Sequence, residues 1–147
     1  MKFTFTEKKM DSSEELRAYS IRKISKLERF FKTEADAYVT FSIERGRFLA
    51  EITIRNNGLY YRASELTNDM YASVDSGVAA IERQIRRNKL LPHLMRYAAQ
   101  TAGINRVCVL TATSGDTGSA AMRGFADVPG TSVLVFYPKV GTSEIQR

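Results

Sequence analysis

Between Ala37 and Ala63, apolar side chains recur at every second residue in three successive runs, and this alternation limits the chain more than any other feature. Ala37, Val39, Phe41 and Ile43 share one face of the first run. Phe48, Ala50, Ile52 and Ile54 share a face of the second, and Leu59, Tyr61 and Ala63 of the third. A period of two fits an extended backbone, whose successive side chains point to opposite faces, and is incompatible with a helix. Arg45-Gly46-Arg47 and Asn56-Asn57-Gly58 separate the runs. The Asn-Gly pair is the preferred chemistry of a tight hairpin, because both central residues take positive φ. The expectation is a three-stranded antiparallel meander, preceded by a strand containing Phe3 and Phe5.

A sheet with one oily face needs a cover, and the flanking segments supply it. Ser12 or Ser13 can cap a helix that opens with Glu14 and Glu15, carboxylates favoured beside the unpaired amides of a helix N-terminus. Running to Phe31, that helix gathers Leu16, Ile24, Leu27 and Phe31 on one side and Arg22, Lys26 and Arg29 on the other, with Lys23 flanking the cations. A second helix begins near Asp69 and carries Met70, Tyr71, Val74, Val78, Ile81 and Ile85 at spacings of three and four. Arg83, Arg86 and Arg87 lie off its stripe, near a C-terminus where positive charge is favoured. Gly77 in its middle costs about 1 kcal/mol relative to Ala, which points either to close packing on the sheet or to plain tolerance. If both helices bury their stripes on one sheet face, their cationic faces lie on one side. Such a surface, with no aromatic stacking platform, suits structured RNA, which is recognised through phosphates, 2′-hydroxyls and shape.

Composition changes near Lys89 and Leu90. Residues 1–89 hold 17 Lys and Arg against 13 Asp and Glu, whereas residues 90–147 hold 5 against 3. The net charge of +6 favours a polyanionic partner without naming one. Past Lys89 the apolar register slips, with Leu91, Leu94 and Met95 opposite Val78 and Ile85. The spacing therefore predicts a new helix with Pro92 in its first turn and Gly103 at its end. Arg106–Thr113 then reads as a buried strand, Thr117–Phe125 as a helix and Ser132–Tyr137 as a strand, a βαβ unit. Cys108, the one cysteine, is expected as a buried strand thiol, and His93, the one histidine, as a surface or structural residue. No run approaches the roughly 18 apolar residues of a membrane span, and the N-terminus lacks a signal-peptide core, so a cytoplasmic protein without a membrane role is expected. No metal-ligating cluster is legible.

Three stretches in the first half carry a resemblance. They are residues 19–31 (YSIRKISKLERFF), 69–75 (DMYASVD) and 82–89 (ERQIRRNK), and they resemble the ribosome hibernation promoting factor family, also described as ribosome-associated inhibitors or subunit-interface proteins. The resemblance spans residues 1–89. It implies a β-α-β-β-β-α fold similar to double-stranded-RNA-binding domains, within an α+β chain. It also implies binding to small-subunit ribosomal RNA near the decoding region, which holds ribosomes idle as a stress response. Carried over by position, the RNA contacts are Lys23, Lys26 and Arg29 on the first helix, beside Arg22, and Arg83, Arg86, Arg87 and Lys89 on the second. Where the family often has Lys, this chain has Ala80. Nothing after Lys89 resembles the ribosome-pairing domain of long members.

The second half resembles a different family. Residues 90–95 (LLPHLM), 110–118 (LTATSGDTG), 124–128 (GFADV) and 136–138 (FYP) are similar to an internal segment of threonine synthase, a pyridoxal phosphate enzyme. The resemblance implies that Ser114, Gly115, Asp116, Thr117 and Gly118 descend from a loop near cofactor and substrate. By spacing alone the same turn is an ordinary Gly-rich helix start whose amides could receive an anion. The Schiff-base lysine lies upstream of the Leu-Leu-Pro stretch in that family, and the hibernation-factor-like helix replaces it here. Without it neither a covalent cofactor anchor nor a proton carrier remains, so no catalysis and no bound cofactor are expected. The leading expectation is a translational regulator made of a ribosome-binding domain, residues 1–89, and an incomplete enzyme-like appendage, residues 90–147, that packs on the first domain, self-associates with another chain or stays partly disordered. The alternatives are a non-catalytic or sensor fragment that binds pyridoxal phosphate, or a fusion with no joint role.

Overall fold

The computed structural model describes residues 1–112, 116–126 and 128–136, with backbone alone for 116–120. Two compact units divide the chain, Met1–Ile85 and Arg86–Arg147.

In the first unit, β1 (Lys2–Lys8) leads into α1 (Glu14–Ile24), and β2 (Asp36–Glu44), β3 (Arg47–Asn56) and β4 (Leu59–Thr67) follow. The strands form one sheet in the order β1-β2-β3-β4. The meander pairs antiparallel as its alternation demands, with Val39 opposite Ile52 and Ile52 opposite Ala63. Arg45-Gly46 and Asn57-Gly58 close the hairpins with positive φ at all four residues. β1 pairs parallel with β2, which the intervening helix makes possible. One core holds Leu16, Ile24 and Leu27 together with Val39, Phe41, Ile52, Ile54, Val74, Ile81 and Ile85, so both helices cover the same sheet face. Gly77 makes the close approach its position suggested: a Cβ built there would meet Ile52 Cδ1 at 2.9 Å. Buried Ser73 ties the second helix to the sheet, donating its hydroxyl to the Phe48 carbonyl at 2.8 Å.

The first helix departs from expectation at its end. Ser13 caps it, accepting from the Leu16 amide at 3.2 Å, but the α-helix stops at Ile24 and residues Ser25–Phe30 form a 3-10 segment. Ile24 and Leu27 are separated by a step of three, which satisfies a three-residue turn as well as a 3.6-residue one, so periodicity could not separate the two helix types. Both remain fully buried core residues on either side of the change.

A second correction concerns Pro92. Instead of starting a new helix it lies inside α2, which runs unbroken from Met70 to Thr101. An interior proline forfeits a hydrogen bond and crowds the preceding turn, at about 3 kcal/mol. Here its ring is fully buried, which offsets part of that cost. Of the slipped stripe, Leu91 and Leu94 are about half exposed, as is neighbouring Leu90, while Met95 is half-buried. Gly103 does end the helix, at φ 72°. The Ile104 amide donates to the Ala99 carbonyl at 2.8 Å and the Gly103 amide to that of Gln100 at 3.1 Å, a Schellman pattern.

The remainder of the second unit is β5 (Val107–Ala112), α3 (Asp116–Phe125) and β6 (Thr131–Phe136), a βαβ unit whose two strands pair parallel. Among the described residues the sheet is covered on one face only. Cys108 therefore lies exposed, against the expectation of a buried thiol, alongside Leu110, Leu134 and Phe136. An apolar strand sequence reads as buried on both sides, but among the described residues this two-stranded sheet has one crossover helix and no second cover. No helix of the described residues is long and apolar enough to cross a membrane.

Candidate nucleic-acid interface

The charged side of the first unit is built where α1 and the 3-10 segment lie beside α2. Tyr19 and Tyr71, one from each helix, meet edge to face with centroids 4.9 Å apart. Around this pair the cations gather. Lys23 Nζ lies 2.8 Å from Asp75 Oδ1 and 4.9 Å from the Tyr19 ring centre, and the Arg22 guanidinium stands 5.2 Å over the same ring. Tyr19 donates its hydroxyl to Asp75 Oδ2 at 2.9 Å. Farther along, Arg29 donates to Glu82 Oε1 at 3.0 Å and covers the Phe30 ring at 4.9 Å.

The 3-10 geometry changes how the cations are presented. Lys26 and Arg29 both lie in Ser25–Phe30, and at three residues per turn they project one above the other. Lys26 and Arg83 are exposed and form no salt bridge among the described residues. Arg22 is likewise exposed, and Lys23 is half-buried. The first unit thus brings Arg22, Lys23, Lys26 and Arg29 together on one helical stretch and adds Arg83 from α2. Arg86, Arg87 and Lys89 continue along α2 as exposed residues of the second unit.

Charge is partly compensated within this surface. Partial burial pushes the Asp75 carboxyl up. Hydrogen bonds from Lys23 and Tyr19, with the charges of Lys23 and Lys26, outweigh that and hold it below the usual carboxylate range. The hydrogen bond to Asp75, then that to Tyr19, raises the Lys23 ammonium above its ordinary value. Sequence reasoning named the cations and missed both acids. The signal was present: Asp75 and Glu82 are seven residues apart, two helical turns, and so share a face of α2.

Ser114 and Gly115 lie outside the described residues, and Asp116, Thr117 and Gly118 form the first turn of α3. His93 is exposed on α2. A cavity of about 160 Å³ in the same unit is lined by Arg96, Gln100, Asn105 and Gly130. It is smaller than the roughly 300 Å³ at which small-molecule sites begin. Among the described residues no group of three His, Cys, Asp or Glu could hold a metal.

Residues 3–90 match the model of the family described as Sigma 54 modulation protein / S30EA ribosomal protein. The ribosome hibernation promoting factor of Salmonella typhimurium is 30% identical over 89 residues, covering 60% of this chain and 94% of that protein. The ribosome hibernation promotion factor of Lactococcus lactis is 33% identical over 92 residues, and the chain spans half of its length. Among solved structures, the N-terminal domain of Thermus thermophilus Protein Y superposes with a TM-score of 0.56 at 28% identity, covering 59% of this chain and 98% of that one. A ribosomal subunit interface protein from Coxiella burnetii shares the fold, with a TM-score of 0.54 at 22% identity over 60% of this chain and 98% of that one. Threonine synthase-like 1 of Mus musculus is 41% identical over 64 residues, which is 40% of this chain and 8% of that protein.

Proposed function

Because the chain belongs to the Sigma 54 modulation protein / S30EA ribosomal protein family, we propose that it is a ribosome-associated regulator of translation, acting through residues 1–89. Its relatives over that region are ribosome hibernation promoting factors, and the family match is the observation that carries the reading. In the finer reading it binds ribosomal RNA of the small subunit near the decoding region and keeps the ribosome idle in the cytoplasm, without a catalytic step of its own. A β-α-β-β-β-α arrangement with both helices on one sheet face supports a double-stranded-RNA-binding-like mode, in which helix-borne cations meet phosphates. Arg22, Lys26 and Arg83 are the first contacts in this reading, joined by Lys23, Arg29, Arg86, Arg87 and Lys89.

Co-sedimentation with purified small ribosomal subunits tests it. Wild type is expected to sediment at about 50 mM salt and to be released as salt rises, because each neutralised phosphate adds about one unit to the log-log slope. Replacing Lys26, Arg86 and Arg87 by Glu is expected to abolish sedimentation at that salt; equal sedimentation of wild type and mutant overturns the reading.

The identity to threonine synthase-like 1 supports a second reading for residues 90–147, that of a non-catalytic appendage with residual affinity for pyridoxal phosphate. A saturable absorbance change on titrating the chain with pyridoxal phosphate is its expected signature, and none at millimolar cofactor removes it. The uncharged outer face of β5 and β6, with Leu110, Leu134 and Phe136 exposed, supports self-association of this segment. A sedimentation coefficient independent of concentration counts against that.

A further inference from the structure

Two cations of the proposed interface already have an anion. Asp75 holds Lys23 through both carboxylate oxygens, at 2.8 and 3.1 Å, and Glu82 holds Arg29 at 3.0 Å. In each pair the acid comes from α2 and the base from α1 or the 3-10 segment, so the two pairs are rungs across the helix-helix seam. The Asp75 carboxylate is fixed independently of its cation, because the Tyr19 hydroxyl donates to it at 2.9 Å and the Tyr19 ring is packed against Tyr71. Pulling Lys23 away would leave the acid where it is. In the Arg29 pair the cation is the more solvent-facing member, at 61% against 27% for Glu82, whereas in the Lys23 pair the acid is, at 45% against 29%.

We infer that Asp75 and Glu82 are specificity-determining residues: built-in counterions that occupy Lys23 and Arg29 in place of phosphate and so penalise binding to RNA of arbitrary shape. The inference rests on the ribosome-binding reading. Non-specific affinity for a duplex comes from releasing condensed counterions, roughly one for each phosphate that a cation neutralises. A cation held by a carboxylate of its own chain contributes little of that gain. A phosphate that displaces the carboxylate must also lie beside the negative charge left behind. A generic duplex therefore meets a weaker surface than the number of basic residues suggests. A partner whose phosphates are spaced to reach Arg22, Lys26 and Arg83 keeps its full complement, because those residues form no salt bridge among the described residues. Specificity is a difference of affinities, and a penalty on wrong partners supplies it where the attractive force is itself sequence-independent.

The full chain, D75N and E82Q are compared on two probes between about 50 and 200 mM salt: a labelled RNA duplex of about 20 base pairs and arbitrary sequence, and purified small ribosomal subunits. Each amide is nearly isosteric with the acid, and far-UV circular dichroism checks the fold. On the duplex, each variant is expected to bind more tightly than wild type at the lowest salt. Its log affinity is expected to fall more steeply with log salt, by about 0.9, so that its advantage shrinks about 3.5-fold over the range. The ratio of subunit to duplex affinity falls in both variants. An unchanged slope, or weaker duplex binding by both variants, overturns the inference, since the acids would then be orienting the cations rather than masking them. Absence of subunit binding by wild type overturns the ribosome-binding reading and the specificity role with it. The duplex slopes are read from the same samples, which tells the two failures apart.

Discussion

Gly77 and Ile52 make a contact tight enough to be tested by exchanging atoms between them. A Cβ at position 77 would lie 2.9 Å from Ile52 Cδ1, but 3.6 Å from Ile52 Cγ1 and 3.8 Å from Ala63 Cβ. The only conflict is therefore with one terminal methyl of a fully buried side chain. Gly77→Ala alone gains about 1 kcal/mol of helix propensity and loses about 1–3 kcal/mol to overpacking, a net destabilisation of about 1 kcal/mol. Ile52→Val alone removes Cδ1 and costs about 1 kcal/mol. Together the new methyl occupies the space that the old one vacated, its remaining neighbours are at ordinary contact distance, and the propensity gain survives. The double mutant is expected within about 0.5 kcal/mol of wild type, a favourable coupling of about 1.5–2 kcal/mol. Urea unfolding of the full chain followed by far-UV circular dichroism measures it, since the chain lacks Trp. Additive single-mutant effects, within about 0.5 kcal/mol, would refute the close approach of α2 to the sheet. That approach positions Asp75 beside Lys23 and Glu82 beside Arg29, so the measurement also bears on the charged surface.

Two further outcomes are expected. The Asp75 carboxyl is held below its ordinary value, so its contribution to stability is present above about pH 4, the unfolded range, and is lost as pH falls through the folded value. The Lys23 ammonium is raised, so its contribution is present below about pH 10.4 and is lost as pH rises through the folded value. The melting temperatures of wild type and Asp75→Asn should differ between these limits and converge in acid; a constant difference down to about pH 2 would exclude the pairing. Cys108 lies on the sheet face left exposed among the described residues and should react stoichiometrically with a thiol reagent in the native protein at concentrations too low for self-association; labelling that requires urea there would show a covered face.

The meander was legible because its two faces meet different environments. Val39, Ile52 and Tyr61 enter the core while Tyr38, Thr53 and Arg62 turn away, and the Asn57-Gly58 turn fixes the register between runs. The cations could be named because amphipathic helices declare which side is wet. Their partners could not be, since Lys23 and Asp75 stand 52 residues apart and only packing of the two helices brings them into contact. Pro92 misled for a related reason. Local rules assign an interior proline a high cost, and burial of its ring in the second unit offsets part of it. Cys108 failed because burial of a strand depends on how many layers surround it, which its own residues do not record.

The parallel pairing of β1 with β2 carries a consequence for how the chain is made. Each residue of β1 finds its partner 34 positions later, as Lys2 does with Asp36. At translation speeds of roughly 5–20 residues per second, the first strand waits about 2–7 s after its synthesis before the neighbour it needs exists. During that interval Phe3 and Phe5 have no sheet to lie on, and the strand is a free edge open to other chains. Lys2 and Lys8 bracket the segment, and charge at its two ends opposes such pairing until β2 arrives.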